Sequence, residues 1–364
     1  MKKNIWIVIG VVVIGLAIVL VITQIRKEPK EIKIGAILPL TGPSALLGEM
    51  AQNGLLLAEK DINQKDGING RPLKLIFEDG QADPKTSISA FRKLIDIENV
   101  KVVFVTHSSV GLALAPIADK EKVVLLVHAS HPKITGISPY IFRHSNVAEQ
   151  ESEVIAQFVS EKLNAKRTAI AVMDDDYGMV FKETLEKVIS TQYKDTSLVK
   201  SIVYESTEID FKTVAQKLLD GKPDVVLIAG LGSGVGILIK RLKEYRYKGD
   251  IVITLGAIMT GAFESAADAG KEVYYVTLDI DEKSERYEEL DKKYKDLYKS
   301  SLSAGPLVFY NSLMLISEAI KSMGNKPENI SQFIANLSSF DGIGEKMDIL
   351  RKYDIVPKLK VVKR

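Results

Sequence analysis

Beyond residue 31 the chain alternates short runs of consecutive apolar residues with longer stretches in which apolar residues recur every three or four positions. IKIGAIL (32–38), LKLIFED (73–79), KVVFVT (101–106) and VVLLV (123–127) are runs of the first kind, the pattern of strands covered by helices on both faces. Residues 45–63 and 84–97 carry the helical period, and Asp83-Pro84 marks the start of the second stretch as an N-cap followed by proline in the first turn. A second series places strands near 168–173, 198–203, 224–229, 251–255 and 273–277, each separated from the next by one helical stretch. Alternation of this kind predicts parallel sheets. Two such series predict an α/β protein of two doubly wound lobes. The pattern then changes, because 284–299, 306–323 and 330–337 are successive helical stretches with no strand between them, and these read as a return to the first lobe.

The N-terminus has a different pattern. IWIVIGVVVIGLAIVLVI, residues 5–22, contains no polar side chain and follows Lys2 and Lys3. As a helix it would rise about 27 Å, close to the hydrocarbon thickness of a bilayer. No A-x-A pattern follows and no cysteine is present to carry a lipid, so residues 1–30 read as an uncleaved signal-anchor and tether, with a cleaved signal peptide as the alternative. Either way the bulk of the chain is expected outside the cytoplasm, as a periplasmic or cell-surface protein.

Length and charge narrow the class further. The 364 residues suit two domains plus an appendage. The 49 basic and 47 acidic residues are interspersed and leave a net charge of +2, which offers no stripe for nucleic acid. Without cysteine there is no disulfide, thiolate nucleophile or thiolate metal site.

Candidate chemistry gathers at strand ends. Ser108 and Ser109 follow the run VVFVT and precede a helix, where hydroxyls and free backbone N–H groups can meet a carboxylate, or where serine simply caps the helix. HASHPKIT (128–135) stands at the end of the next strand. His107, His128 and His131 would gather on one wall, but H-x-x-H in a loop fixes no coordination geometry, so no metal is expected. GLGSGVG (230–236) lacks the spacing of a dinucleotide loop and reads instead as a close backbone approach to a ligand or a facing helix. No G-x-S-x-G, H-E-x-x-H or phosphate-loop motif is present. The sequence therefore offers no catalytic apparatus and calls for no cofactor.

The segment 35–95, with Thr41-Gly42, Gly48, INQKDGINGRPL, Asp79 and Asp83-Pro84, resembles the opening of type I periplasmic binding proteins of the leucine/isoleucine/valine-binding family. SSVGLALAPIADKEKVVLLVHASHPKIT, YIFRHS, VMDDDYG and FDGIGEK are similar to that family's later signatures. The resemblance implies a Venus-flytrap with crossings near 141–146, 275–280 and 340–345: lobe I from 31–142 plus 280–340, lobe II from 145–276 plus 341–364. It implies a small-molecule ligand held between the lobes by Ser108, or Ser109 beside it, by Ala129 and Ser130, and by Tyr177 through its ring face and hydroxyl. His107 and His128 flank these. Leu47, or its neighbour Leu46, stands where relatives carry an aromatic, Gly232 lies in the corresponding glycine loop, and Ala257-Ile258 occupy the place of an acid that meets a ligand ammonium, leaving Asp174, Asp175 or Asp176 as possible substitutes. The implied partner is an ABC transporter permease; an extracytoplasmic sensor signalling without transport is the alternative.

Overall fold

A computed structural model describes residues 31–351 and 353–364. The expected signal-anchor and tether lie outside the described residues. Among those described, no helix is long and apolar enough to cross a membrane.

The first lobe opens with β1 (Ile32–Leu38), α1 (Ala45–Gln64), β2 (Leu73–Asp79), α2 (Pro84–Arg92), β3 (Val102–Thr106), α3 (Ser108–Glu121), β4 (Val124–His128) and β5 (Ile141–His144). The second contains α4 (Ala148–Gln157), β6 (Arg167–Met173), α5 (Asp176–Gln192), β7 (Ser197–Tyr204), α6 (Lys212–Leu219), β8 (Val225–Ala229), α7 (Ser233–Glu244), β9 (Asp250–Ile253), α8 (Leu255–Met259), α9 (Ala262–Ala266) and β10 (Tyr274–Leu278). The chain then returns through α10 (Glu285–Tyr298), α11 (Ala304–Met323) and α12 (Pro327–Ala335), with α11 packed along α1. The strands expected from apolar runs are all present, and Asp83 caps α2 by accepting the Thr86 N–H at 2.7 Å.

Four strands close the chain: β11 (Ser339–Asp341), β12 (Lys346–Arg351), β13 (Asp354–Pro357) and β14 (Leu359–Lys363). The first sheet has the order β11-β12-β13-β5-β4-β3-β1-β2 and the second β14-β10-β9-β8-β6-β7. β1 lies parallel to both β2 and β3, as β6 does to β7 and β8. Each sheet thus reverses its order at its first strand, and a crevice opens beyond the strand ends at such a switch point. Both faces of the first sheet are covered: Ile34, Ala36 and Leu38 enter the core shared with α1 and α11, while Ile37 enters the one under α2 and α3.

The tail corrects one expectation. The sequence assigns residues 341–364 to lobe II with a crossing near 340–345, but β11, β12 and β13 join the first sheet and only β14 pairs with β10, antiparallel. The chain therefore crosses after His144, after Leu278 and at Lys358, and the Asp279 N–H donates to the Lys358 carbonyl at 2.8 Å where the last two crossings run together. A buried ion pair holds β13 in the first sheet: Arg143 Nε lies 3.2 Å from Asp354 Oδ1, which also accepts the Thr135 hydroxyl at 2.6 Å. Withdrawing Asp354 would leave a buried guanidinium, which also donates to the His131 carbonyl at 2.7 Å, without its carboxylate, among the costlier defects a core can hold.

Candidate functional site

The strand ends of the two sheets face each other across a partly open cavity of about 110 Å³. On the lobe I side, β3 ends at Thr106 and His107 turns the chain through φ 69° before α3 begins. A left-handed backbone at a non-glycine residue stores strain that its surroundings must hold. Here the ring is pinned at both nitrogens, Nδ1 to Thr106 Oγ1 at 2.9 Å and Nε2 to Ser44 Oγ at 3.1 Å. Burial drives its pKa down to about 4, so the imidazole is neutral. The turn leaves Ser108 and Ser109 in the first turn of α3 instead of at its cap, a position taken by His107 without a side-chain hydrogen bond.

Ala129 and Ser130 follow β4 on the same wall. The hydroxyls of Ser108, Ser109 and Ser130 engage no protein group among the described residues, and all three residues line the cavity. His128 packs against Phe309 with ring centroids 4.0 Å apart and planes tilted by 35°. Behind it, Ser312 Oγ lies 2.5 Å from His144 Nδ1 and 3.3 Å from His128 Nε2 while donating to the Val308 carbonyl at 2.7 Å. Burial pushes His144 down to about 3 and His128 well below the ordinary range.

The lobe II wall is built around a carboxylate that the sequence reading missed. Glu151 on α4 is fully buried; its Oε2 accepts the Asn146 amide at 2.9 Å and the Tyr177 hydroxyl at 2.9 Å, and its Oε1 accepts the Leu255 N–H at 2.7 Å. One side chain thereby ties the first crossing, the start of α5 and the start of α8 together. Burial raises its pKa to about 6, against the pull of those three donors. A signal was available, since Ala148, Glu151, Ser152, Ile155 and Ala156 are the buried positions of α4 and a glutamate on such a stripe demands an internal partner.

Asp175 caps α5 by accepting the Gly178 N–H at 2.6 Å, and burial raises its pKa to about 6. It lines the cavity with Asp176, Tyr177, Leu231, Leu255, Gly256, Met259 and Thr260. The lobes touch nearby: a Cβ placed on Gly232 would meet the Pro43 carbonyl oxygen at 3.9 Å, and one on Gly261 would meet Leu46 Cδ2 at 3.6 Å.

Of the residues expected to hold a ligand, Leu47, His107, Ser108, Ser109, His128, Ala129, Ser130 and Tyr177 line the cavity. Gly232 and Ala257 do not. Gly232 sits behind Leu231, its N–H donated to Thr260 Oγ1 at 2.7 Å. Ala257 lies on the core side of α8, fully buried, so its neighbours Gly256 and Thr260 face the cavity instead. The third imidazole on the wall is His144, not His131, whose Nδ1 accepts the Lys133 N–H at 3.2 Å outside the cavity. The Tyr177 hydroxyl donates its hydrogen to Glu151, so toward a ligand it can act only as an acceptor beside the ring face. Within the glycine-rich loop it is Gly236 that meets a facing helix, where a Cβ would fall 2.4 Å from the Ala262 carbonyl oxygen. No group of three or more histidine, aspartate or glutamate side chains is arranged to hold a metal among the described residues.

Comparison with known proteins follows the same geometry. A family profile described as "Periplasmic binding protein" matches residues 31–355. An "Amino acid binding protein" of Pseudomonas aeruginosa is 28% identical over 222 residues, which cover 59% of this chain and 58% of that protein. "Leu/Ile/Val-binding protein homolog 1" of Brucella melitensis is 25% identical over 355 residues, covering 95% of this chain and 92% of that protein. Among solved structures, the branched-chain amino acid transporter substrate-binding protein LivJ of Streptococcus pneumoniae, in complex with isoleucine, superposes with a TM-score of 0.83 at 22% identity, covering 92% of this chain and all of that one (100%). A solute-binding protein of an ABC transporter from Rhodopseudomonas palustris, in complex with 3,4-dihydroxybenzoic acid, superposes with a TM-score of 0.81 at 22% identity, covering 92% and 93%.

Proposed function

Because this chain belongs to the periplasmic binding protein family, we propose that it captures a small polar ligand, amino-acid-like or a small organic acid, between its lobes and delivers it to an ABC importer. Three unengaged hydroxyls, Ser108, Ser109 and Ser130, carry this reading: they line the interlobe cleft at the ends of β3 and β4, beside the N-terminus of α3. Free N–H groups and the positive end of a helix favour a carboxylate there. Leu47, Leu231, Leu255, Met259, Val308 and Phe309 supply apolar contact for the ligand's body. The neutral imidazoles act as hydrogen-bonding walls, and the site asks for no bond to be made or broken.

The site works outside the cytoplasm in this reading, with the N-terminal apolar run as export signal or membrane anchor. Closure of the lobes is driven by the ligand's greater affinity for the shut state. A thermal-shift screen of the purified chain against amino acids, small organic acids and amides tests the proposal, since a ligand at a hundredfold excess over Kd adds about 2.7 kcal/mol. A shift that disappears in a Ser108→Ala, Ser130→Ala double variant supports it. No shift with any member of the panel refutes it.

A further inference from the structure

The second and third crossings run together as a two-stranded ribbon whose two faces differ. Leu278 and Pro357 are buried and line the cleft cavity, whereas the residues that follow them, Asp279 and Lys358, are exposed and line a separate crevice of about 490 Å³. Successive side chains of an extended chain point to opposite faces, so this crevice lies on the back of the hinge. Its lobe I side is formed by the start of α10 and the turn between β11 and β12. That turn is fastened to the second crossing, where the Asp281 N–H donates to the Gly344 carbonyl at 2.9 Å.

Charge around the crevice does not balance. Asp279, Asp281, Asp341 and Glu345 line it against Arg286 and Lys358. Asp279 is matched by Lys360 at 3.1 Å and Asp341 by Arg286 at 3.3 Å. Asp281 Oδ1 accepts the Lys283 N–H at 3.2 Å, but no described cation comes within ion-pair distance of Asp281 or of Glu345. The remaining cation, Lys358, is exposed and pairs with no described acid.

Glu345 is the sharper case, since it is only 3% exposed and its Oε1 meets no donor. Asn311 reaches Oε2 at 2.9 Å and has nothing left for the other oxygen: its Nδ2 also donates to the Ile343 carbonyl at 3.1 Å and its Oδ1 accepts the Ile343 N–H at 2.9 Å. A buried carboxylate oxygen without a donor is costly until a cation or a proton reaches it. Burial accordingly raises the pKa of Glu345 to about 7, with only the Asn311 amide opposing. The described acids are not arranged to hold a metal, so the missing partner is an organic cation with N–H donors.

We propose that the back of the hinge is a second ligand site, for a small diamine, with one ammonium at the open oxygen of Glu345 and the other at Asp281. Glu345 leads into β12 of the first sheet and Asp281 belongs to the second crossing. An occupant shared by the two ties crossing to lobe and favours the form in which the lobes touch. The site goes beyond the solute reading and stands apart from whatever the front cavity holds.

Calorimetric titration of the full chain at pH 8 with 1,4-diaminobutane, and with 1,4-butanediol as the uncharged control, tests the site. The diamine is expected to bind and the diol to give no heat. Glu345→Gln, which keeps the shape of the side chain and an acceptor for Asn311, should weaken the diamine by at least about tenfold, the scale of one charge-assisted contact. The chain has no cysteine, so spin labels on Glu49→Cys and Thr207→Cys, exposed positions on opposite lobes, report the interlobe distance. Saturating diamine should shift that distance shorter, and should not do so when Glu345→Gln is added. No heat from the diamine at millimolar concentration, equal binding of diamine and diol, or a Glu345→Gln chain within about twofold of the parent overturns the site. Bound diamine with an unmoved interlobe distance overturns its tie to closure. Each of these results leaves the solute site in the cleft intact.

Discussion

The Tyr177 hydroxyl donates to Glu151 Oε2 at 2.9 Å, and the same oxygen accepts the Asn146 amide at 2.9 Å. This junction joins the first interlobe crossing to the two loops that form the lobe II wall. Removing the carboxylate leaves three buried donors without acceptors, so Glu151→Ala is expected to cost about 3 kcal/mol of stability, against about 1 kcal/mol for Tyr177→Phe. Urea titrations of the two variants check the ranking, and equal losses would contradict it.

On the opposite wall the expected effect is on binding. Ser108→Ala and Ser130→Ala remove hydroxyls that no protein group engages, so each should weaken the ligand by about 1–3 kcal/mol while hardly moving the melting temperature. Parallel calorimetry and thermal denaturation separate the two effects. Unaltered affinity in both variants would take the hydroxyls out of the site.

Glu345 gives a pH dependence with a definite sign. It is almost fully buried, Oε2 accepts the Asn311 amide at 2.9 Å, and Oε1 has no partner. Burial raises its pKa from 4.5 to about 7. Between those values the folded chain holds a proton that the unfolded chain has released, so stability falls as pH rises through the window and levels off above it. The full loss is on the order of 3 kcal/mol. Glu345→Gln should therefore melt higher than the parent at pH 8 and lose that advantage by about pH 5. A gap independent of pH would remove Glu345 as its source.

Lobe contact at Gly261 is open to a direct test. Its φ is 94° and Leu46 of the other lobe stands 3.6 Å from where its Cβ would be. Gly261→Leu should cost about 1 kcal/mol of stability for the left-handed backbone, but weaken ligand binding further because the side chain stands between the lobes. An affinity loss no larger than the stability loss would show that closure does not pass through this contact.

The nine strands read from apolar runs were legible to within a residue or two because a strand buried on both faces must be apolar throughout, whatever it pairs with, whereas β5 and β11 to β14 were not read from that pattern. The helix starting at Pro84 was legible because Asp83 and Pro84 act on their own backbone. The fate of the tail was not, since β13 is drawn to β5 by Asp354 and Arg143, more than two hundred positions apart in the chain. Much of the cleft was nonetheless visible as serines and histidines at the ends of apolar runs. Ala257 was misplaced because one helical position, about 100° of rotation, separates the cavity side of α8 from its core side.

The order of elements, the two-lobe α/β class and the hydroxyl-bearing strand ends were determined by the sequence itself, because local backbone preference and the period of burial are properties of neighbouring residues. Tertiary structure alone decided which hydroxyls and carboxylates stay free. Glu151 engages Tyr177 and Asn146, and Ser312 engages two imidazoles, whereas the hydroxyls of Ser108 and Ser130 remain open to the cavity. Hydrogen-bond satisfaction depends on groups brought together from distant parts of the chain, and recognition of a ligand is left to those that this assembly does not consume.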